Sequence, residues 1–256
     1  NKNNFRSKTK VTKQEFIDKK QLEMWNFDGS STGQADGIDS EVYIKPVALY
    51  KDPFRVDLEG YIVLCDTWLP DGNKHPDNTR QIAAETYNNE VVSKSDCMFG
   101  FEQEFFFIDP KTKRPLGFPE DGSDPEKQGK YYCSVGTSNC FGRKIAEEAL
   151  DNFIYAGLNI TGLNFEVAPG QCEFQVCDYG LKAADDLNML RYILIRTAEN
   201  HNVEISLHPK PELGDWNGSG CHTNFSTKSM RENDNGYDII LEAIEKLRSK
   251  HKEHID

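Results

Sequence analysis

Three features are scarce in this 256-residue sequence, and each scarcity excludes a class of protein. No apolar run approaches the roughly 20 residues that a membrane span needs, and residues 1–7 lack the apolar core of a signal peptide. Basic residues are outnumbered: 30 Lys and Arg face 42 Asp and Glu, which gives a formal net charge of −12. Because a sequence-independent nucleic-acid binder needs a basic face, this balance argues against one. We therefore expect a cytoplasmic protein that binds neither membrane nor nucleic acid.

Paired cysteines are lacking as well. The seven cysteines are odd in number, scattered along the chain and never in a Cys-x-x-Cys pair. This usage is typical of reduced thiols in the cytosol. A zinc site is a weak alternative, because the spacing of its candidate ligands is poor for a zinc motif; these candidates are Cys172, Cys177, Cys221 and His222.

Apolar residues are present in the proportion of a globular protein, at 37% of the chain with 11% aromatic. Short strands and turns fill the first 75 or so residues, with strands predicted at 41–50 and 60–66. A helix-capping cluster at 77–79 opens a region in which helices and strands alternate. Helices are predicted at 80–95, 143–155, 183–201 and 237–251, and strands at 98–108, 158–167, 171–176 and 203–207. The fold class is therefore α+β, with a small β-rich unit at 1–78 and a larger unit at 79–256 whose sheet is mostly antiparallel.

Acidic residues interrupt the most apolar strand. In the stretch FGFEQEFFF at 99–107, Glu102 and Glu104 lie two residues apart, so they share one face of the strand with Phe106 and Ile108. Two like charges in apolar surroundings are costly unless a positive charge compensates them.

The same anomaly recurs on the next strands. Glu166 ends one apolar run and Glu173 lies in another, and the turn residues at 168–170 predict a hairpin that brings them together. His222 follows in a glycine-rich loop. Carboxylates with one imidazole suit Mg²⁺ or Mn²⁺. Spacing alone leaves other interpretations open: solvent-facing acid pairs and a surface histidine are common.

Longer motifs carry a resemblance to a known family. They are WNFDGSSTGQ at 25–34, FGFEQE at 99–104, EVAPGQCEFQ at 166–175 and GDWNGSGCHTNFSTK at 214–228. In these blocks and in shorter ones along nearly its whole length, the chain resembles the eukaryotic (type II) glutamine synthetases. The resemblance implies a β-grasp domain at 1–78 and a catalytic domain at 79–256 with a curved antiparallel sheet. It also implies ATP-dependent ligation of L-glutamate and ammonia to L-glutamine through γ-glutamyl phosphate.

The resemblance further implies roles for individual residues. Glu104, Glu166 and Glu173 match the ligands of one divalent metal, and Glu102 and His222 match ligands of a second, with two or three Mg²⁺ or Mn²⁺ ions per site. Glu104 and Asp28 match catalytic positions, and Asp28 resembles the aspartate that a neighbouring subunit of a stacked-ring homo-oligomer contributes to bind ammonium and accept its proton. The positions that match the glutamate-binding loop are Asp215, Trp216, Asn217, Gly218 and Gly220. Those that match the ATP site are Glu102, Glu173, Phe174, Gln175, Asn224, Phe225 and Ser226.

Family chains normally continue beyond the position of Asp256, so the resemblance implies a catalytic domain that is incomplete at its C-terminus here. The further part of a family chain carries a flap glutamate, another metal-binding carboxylate and arginines that bind the substrate. Two alternatives follow: a catalytically silent relative that serves as a structural or assembly protein, and a ligase for another amine. Asp28 favours ammonium over the latter.

Overall fold

The computed structural model describes residues 5–13 and 18–255, and within them helices combine with two antiparallel sheets. The strands are β1 (Trp25–Asp28), β2 (Glu41–Lys51), β3 (Tyr61–Trp68), β4 (Met98–Ile108), β5 (Ile160–Phe165), β6 (Gln171–Tyr179), β7 (Glu204–Ser206) and β8 (Cys221–Ser226). The helices are α1 (Thr79–Tyr87), α2 (Glu90–Lys94), α3 (Arg143–Ala156), α4 (Gly180–Asn200), α5 (Lys228–Glu232), α6 (Gly236–Arg248) and α7 (His251–Ile255). The predicted mixture of helix and antiparallel sheet is confirmed. Residues 1–4, part of the stretch inspected for a signal peptide, lie outside the described residues.

The first sheet has the order β1-β2-β3. Trp25 pairs with Ile44, and Tyr43 pairs with Trp68. The register shifts between Pro46 and Ala48, where proline cannot donate a ladder hydrogen bond and a bulge accommodates it. The strands predicted at 41–50 and 60–66 are confirmed as β2 and β3.

The second sheet has the order β5-β6-β4, and two short strands share the far edge of β4. β8 pairs with the first half of β4, whereas β7 pairs with its last three residues. The long central strand β4 is therefore flanked on both sides along most of its length. Its predicted bounds, 98–108, are confirmed.

The main core lies on one face of this second sheet, beneath α3 and α4. Phe105 and Phe107 project into it from β4, while Phe106 and Ile108 belong to a separate small cluster on the opposite face. The rings of Phe105 and Phe174 stack at 5.7 Å. Burying an aromatic or aliphatic side chain of this kind contributes about 1.5–3 kcal/mol. The period-2 pattern thus assigns Glu102 and Glu104 to the face away from the main core, as expected.

Polar side chains join the two sheets. Tyr50, from β2, is buried in the main core and donates a hydrogen bond to Asp186 at 2.9 Å. Arg80, near the start of α1, donates two hydrogen bonds of 2.7 Å to Asp185 and lies 3.5 Å from Asp66. These contacts fix the first sheet against α4.

Three predictions of secondary structure were wrong in part. The single helix expected at 80–95 is two helices, because Asn89 caps a new helix by accepting a hydrogen bond from the Val91 amide. The helix expected at 237–251 ends at Arg248, and α7 follows separately. His222 lies on strand β8 and not in a flexible loop. Among the described residues no helix combines the length and apolar character needed to cross a membrane.

Candidate active site

Strand pairing brings the predicted site residues together on the sheet face opposite the main core. Glu104 lies directly across from Glu173, and Glu173 lies across from Asn164 on β5. On the other side of β4, Glu102 lies across from His222. Directly opposed residues have Cβ atoms about 4.5–5.5 Å apart, so their side chains must interact.

A tight hairpin adds the third carboxylate. The Glu166 amide donates to the Gln171 carbonyl at 3.0 Å, and Gly170 turns the chain with a φ of +70°. A Cβ atom at Gly170 would lie 2.6 Å from the Leu116 carbonyl oxygen, so only glycine fits this turn. The predicted hairpin is confirmed. Carboxylate oxygens of Glu104, Glu166 and Glu173 lie within 4.8 Å of one another.

These three carboxylates form no ion pair with a cationic side chain in the described part of the chain. Within the described residues, none of them has a lysine, arginine or histidine nitrogen within 4.0 Å. Their donors are neutral: Asn164 to Glu166 at 2.9 Å, the Gly220 amide to Glu104 at 2.8 Å, and Gln175 to Glu173.

The electrostatic consequence is a raised pKa at Glu166 and at Glu173. Burial raises the pKa of Glu166, and the nearby charges of Glu104 and Glu173 raise it further. Burial is also the main cause of the raised pKa of Glu173. A divalent cation between the three groups would remove both effects, because it favours the ionised carboxylates.

Glu102 occupies a different environment from the other three glutamates. Asn224 donates to it at 2.7 Å, and the His222 Nδ1 atom lies 3.2 Å from its second oxygen. These hydrogen bonds, first from Asn224 and then from His222, lower the pKa of Glu102. Glu102 and His222 therefore form a separate pair, with the His222 Nδ1 atom 3.2 Å from the Glu102 carboxylate, beside the three-carboxylate cluster.

A cleft of about 480 Å³ opens next to Glu102. Most of the residues predicted to bind ATP line it: Glu102, Gln175, Asn224, Phe225 and Ser226. Phe225 is 47% exposed, and its ring lies 5.2 Å from that of Phe99, so an aromatic surface is available at the cleft.

Phe174 is placed differently from the other residues predicted to bind ATP. It is fully buried on the core face, between Phe105 and Phe153. Its side chain points away from the cleft, because adjacent residues of a strand point to opposite faces, and the predicted role of Phe174 at the ATP site stays a prediction.

The loop predicted to bind glutamate lies against Glu104. Trp216 packs at 4.8 Å on Phe118 and joins the small cluster of Phe106, Ile108 and Ala168. The Asn217 amide donates to Gln128 at 2.8 Å, and Gly220 donates to Glu104. Asp215 is exposed.

Asp28 lies apart, at the end of β1 in the other sheet. Both Ser30 and Ser31 donate to its carboxylate, and these hydrogen bonds lower its pKa to about 2. No described contact joins Asp28 to the four glutamates.

The alternative zinc site is wrong. Cys172 is buried in the main core, and Cys221 packs against that core beside Arg191. Cys177 lines the cleft and His222 pairs with Glu102, so these two lie on the opposite face. Four ligands divided between two faces of one sheet cannot surround an ion.

Two site residues were missed from the sequence. Asn164 shares its strand face with Glu166, two residues on, and this period-2 spacing was the available signal. Gln128 approaches Asn217 from a distant loop, and no local pattern indicates that contact.

Comparison with known proteins identifies the family of this chain. Residues 76–237 match the family described as "Glutamine synthetase, catalytic domain". The "Glutamine synthetase cytosolic isozyme 2" of Vitis vinifera is 48% identical over 251 residues, which is 98% of this chain and 70% of the relative. The "Glutamine synthetase cytosolic isozyme" of Medicago sativa is 49% identical, with the same coverage. The "Glutamine synthetase, chloroplastic/mitochondrial" of Arabidopsis thaliana is 48% identical over 98% of this chain and 58% of its own length. This chain belongs to the glutamine synthetase family.

Proposed function

We propose that this protein joins L-glutamate and ammonia in an ATP-dependent reaction to form L-glutamine. The observation that carries the proposal is the cluster of Glu104, Glu166 and Glu173, which has no cationic partner among the described residues and adjoins the cleft at Glu102. Family membership supplies the reaction class. The two alternatives considered from the sequence, a silent relative and a ligase for another amine, gain no support from relatives that are all named glutamine synthetase.

The residues fit the divalent metals that the family implies. Glu104, Glu166 and Glu173 would hold one ion through hard carboxylate oxygens, and Glu102 with His222 would contribute to a second. Such ions neutralise the crowded oxygens of phosphate groups during phosphoryl transfer. The proposed ions are Mg²⁺ or Mn²⁺, because carboxylate oxygens with one imidazole suit either metal.

ATP would occupy the cleft beside β8. The exposed face of Phe225 offers a stacking surface for adenine, while Asn224 and Ser226 offer polar groups. Glu102 lies at the cleft wall, and Glu173 lies across the sheet from Glu104. The phosphates would therefore point from the cleft towards the carboxylate cluster.

Glutamate would bind at the loop that contains Trp216, Asn217, Gly218 and Gly220, which lies beside Glu104. In the proposed reaction the γ-carboxylate of glutamate attacks the γ-phosphate of ATP and releases ADP. Ammonia then attacks the γ-carbon of γ-glutamyl phosphate; a C–N bond forms and phosphate leaves. The loop orients the carboxylate for the first step.

Asp28 would bind ammonium and accept its proton. With a pKa near 2 and an exposed side chain, its carboxylate is ionised at neutral pH, as cation binding requires. We infer that it serves the site of a neighbouring subunit in a homo-oligomer of stacked rings.

We also infer that residues 1–78 form the β-grasp domain and that residues 79–256 belong to the catalytic domain. The protein is inferred to be cytoplasmic, like the relatives named cytosolic.

The direct test is glutamine formation by the purified protein supplied with glutamate, ammonium, ATP and Mg²⁺. We expect glutamine and phosphate in equal amounts, and no product from Glu173→Gln. Replacing ammonium with methylamine or a polyamine should abolish turnover. Phosphate release without glutamine, or faster turnover with another amine, would refute the proposal.

A further inference from the structure

Gln171, the first residue of β6, has a side chain with no role in the reaction proposed above. It is fully buried, and it lies between the Glu104 carboxylate and the loop beside it. A buried amide is costly to place unless each of its polar atoms has a partner. Its contacts therefore report what the side chain holds in position.

All four hydrogen-bonding positions of this amide are used. Its nitrogen donates to the Gly218 carbonyl at 2.9 Å and lies 3.4 Å from Glu104 Oε2. Its oxygen accepts from Asn217 Nδ2 at 3.0 Å and from the Ala168 amide at 3.4 Å. Exchanging the oxygen and nitrogen would oppose donor to donor at both Asn217 and Ala168, so the contacts allow one orientation of the amide.

Hydrogen bonds fix the orientation of the Glu104 carboxylate. Its Oε2 atom faces two N–H groups, one from Gln171 and one from the Gly220 amide at 2.8 Å. Within the described part of the chain, Oε1 has no hydrogen bond. The carboxylate is therefore held by one oxygen, which leaves the other for the cluster with Glu166 and Glu173.

The Gln171 side chain also binds the neighbouring loop, at two successive residues. Gln171 contacts the Asn217 side chain and the Gly218 carbonyl, and both positions belong to the segment proposed to bind glutamate. A Cβ atom at Gly218 would lie 2.5 Å from the Pro209 carbonyl oxygen, so this segment is also confined from its other side.

We infer that Gln171 is a positioning residue that couples the Glu104 carboxylate to the glutamate-binding segment at 217–220. The inference rests on the proposed function, because it assigns that segment to glutamate. Through Gln171, the orientation of Glu104 and the position of the loop depend on each other. Metal affinity and glutamate affinity should therefore change together, while ATP affinity should not, because none of the residues that line the cleft is a hydrogen-bond partner of the Gln171 side chain.

The test is Gln171→Met, which keeps a similar volume and removes every hydrogen bond of the amide. Groups that orient a metal ligand typically change metal affinity by about 10–100-fold. We expect Mn²⁺, titrated into the protein without substrates and followed by electron paramagnetic resonance, to bind about 10–100-fold more weakly. We also expect KM for glutamate to rise by a similar factor and KM for ATP to change less than about twofold.

The matched control is Thr197→Val, another fully buried polar side chain, which accepts a hydrogen bond from Asn152 far from the site face. It should lower thermal stability without changing Mn²⁺ affinity or either KM. Unchanged Mn²⁺ affinity and glutamate KM in folded Gln171→Met, or equal increases in both KM values, would overturn the inference.

A second variant keeps the test decisive if Gln171→Met does not fold. Asn217→Ala removes one partner of the amide, and Asn217 is not a candidate metal ligand. Weaker Mn²⁺ binding by this variant supports a coupling of Glu104 to the segment at 217–220 through Gln171, and unchanged Mn²⁺ binding refutes that coupling. If the wild type makes no glutamine, the proposed function fails, while the Mn²⁺ titrations still decide the role of Gln171 at Glu104.

Discussion

Two groups of wholly or partly buried acids lie on opposite faces of the second sheet, and they differ in whether a cationic side chain pairs with them. On the α4 side, Asp186 contacts Tyr50 and Lys182, and Asp185 accepts two hydrogen bonds from Arg80. On the site side, Glu166 and Glu173 have only neutral donors among the described residues. Burial raises the pKa of Asp186 as it does that of Glu166, but Lys182 opposes the effect at Asp186 alone.

This difference between the two groups of acids indicates that one group serves stability and the other serves function. A buried charge with a partner in the same chain fixes the structure, and removing the partner is costly. A buried charge without such a partner lowers stability until a ligand supplies the opposite charge. The site-side cluster therefore indicates a cation from outside the chain.

The largest expected effect is a loss of stability when the acids on the α4 side lose the cation that pairs with them. Arg80→Met removes the cation that Asp185 and Asp66 share, and one Asp66 oxygen already lacks a hydrogen-bond partner among the described residues. Breaking a buried pair in this way costs about 3–5 kcal/mol of unfolding free energy, measurable by urea denaturation. Lys74→Met, which breaks the exposed pair with Glu85, is the control and should leave the urea midpoint unchanged. Equal midpoints for both variants would contradict the account.

The next largest effect is expected on activity, from a substitution in the three-carboxylate cluster on the site side of the sheet. Glu104→Gln removes a candidate metal ligand and one of three adjacent like charges. We expect glutamine formation to fall by about 100-fold or more, while stability in chelator is equal to or above that of the wild type. Glu242→Gln, at an exposed position of α6, is the control for both measurements. A clear loss of stability in chelator would show that Glu104 has a structural role instead.

A smaller effect is expected at the cleft. Phe225→Ala removes an exposed ring that lines it, so KM for ATP should rise about tenfold, as expected for the loss of stacking on a base. KM for glutamate should stay within about twofold. Tyr237→Ala, which truncates an exposed ring on α6 that does not line the cleft, is the control in steady-state kinetics. An unchanged KM for ATP in Phe225→Ala would remove Phe225 from the nucleotide site.

The smallest effect on stability is expected at Asp28, whose charge is exposed. Its pKa in the folded chain, about 2, is below the ordinary 3.8, so the ionised group stabilises the fold above pH 3.8. That contribution is lost as the pH falls towards 2. Asp28→Asn should therefore melt slightly below the wild type at neutral pH and converge with it near pH 2, while KM for ammonium rises at neutral pH. An unchanged KM for ammonium would exclude Asp28 from ammonium binding.

The sequence predicted those parts of the fold that depend on local pattern. Strand β4 and its two faces followed from alternation, and the hairpin before Gln171 followed from turn residues. The break between α1 and α2 was missed, because an asparagine that caps a second helix also occurs inside helices. Strand β8 was predicted as a loop, since it is polar and its pairing partner is more than 100 residues away.

The site was predictable as a set of acids but not as a geometry. Glu102, Glu104, Glu166 and Glu173 stood out, because charged residues are unusual in apolar strands. Their division into a three-carboxylate cluster and a Glu102–His222 pair was implied by the family resemblance and not by the strand pattern, because it depends on the register of β4 with β6 and β8. The contacts of Gln171 also depend on chain segments far apart in sequence, so no local signal pointed to them.

The most direct test of the central claim is thermal unfolding of the wild type and Glu166→Gln, each in chelator and with Mn²⁺. If an external cation compensates the cluster, the variant will melt at or above the wild-type temperature in chelator, because it has lost a repelling charge. Added Mn²⁺ will then raise the melting temperature of the wild type by several degrees and that of the variant much less. A wild type insensitive to Mn²⁺, together with a variant that melts lower in chelator, would contradict the account.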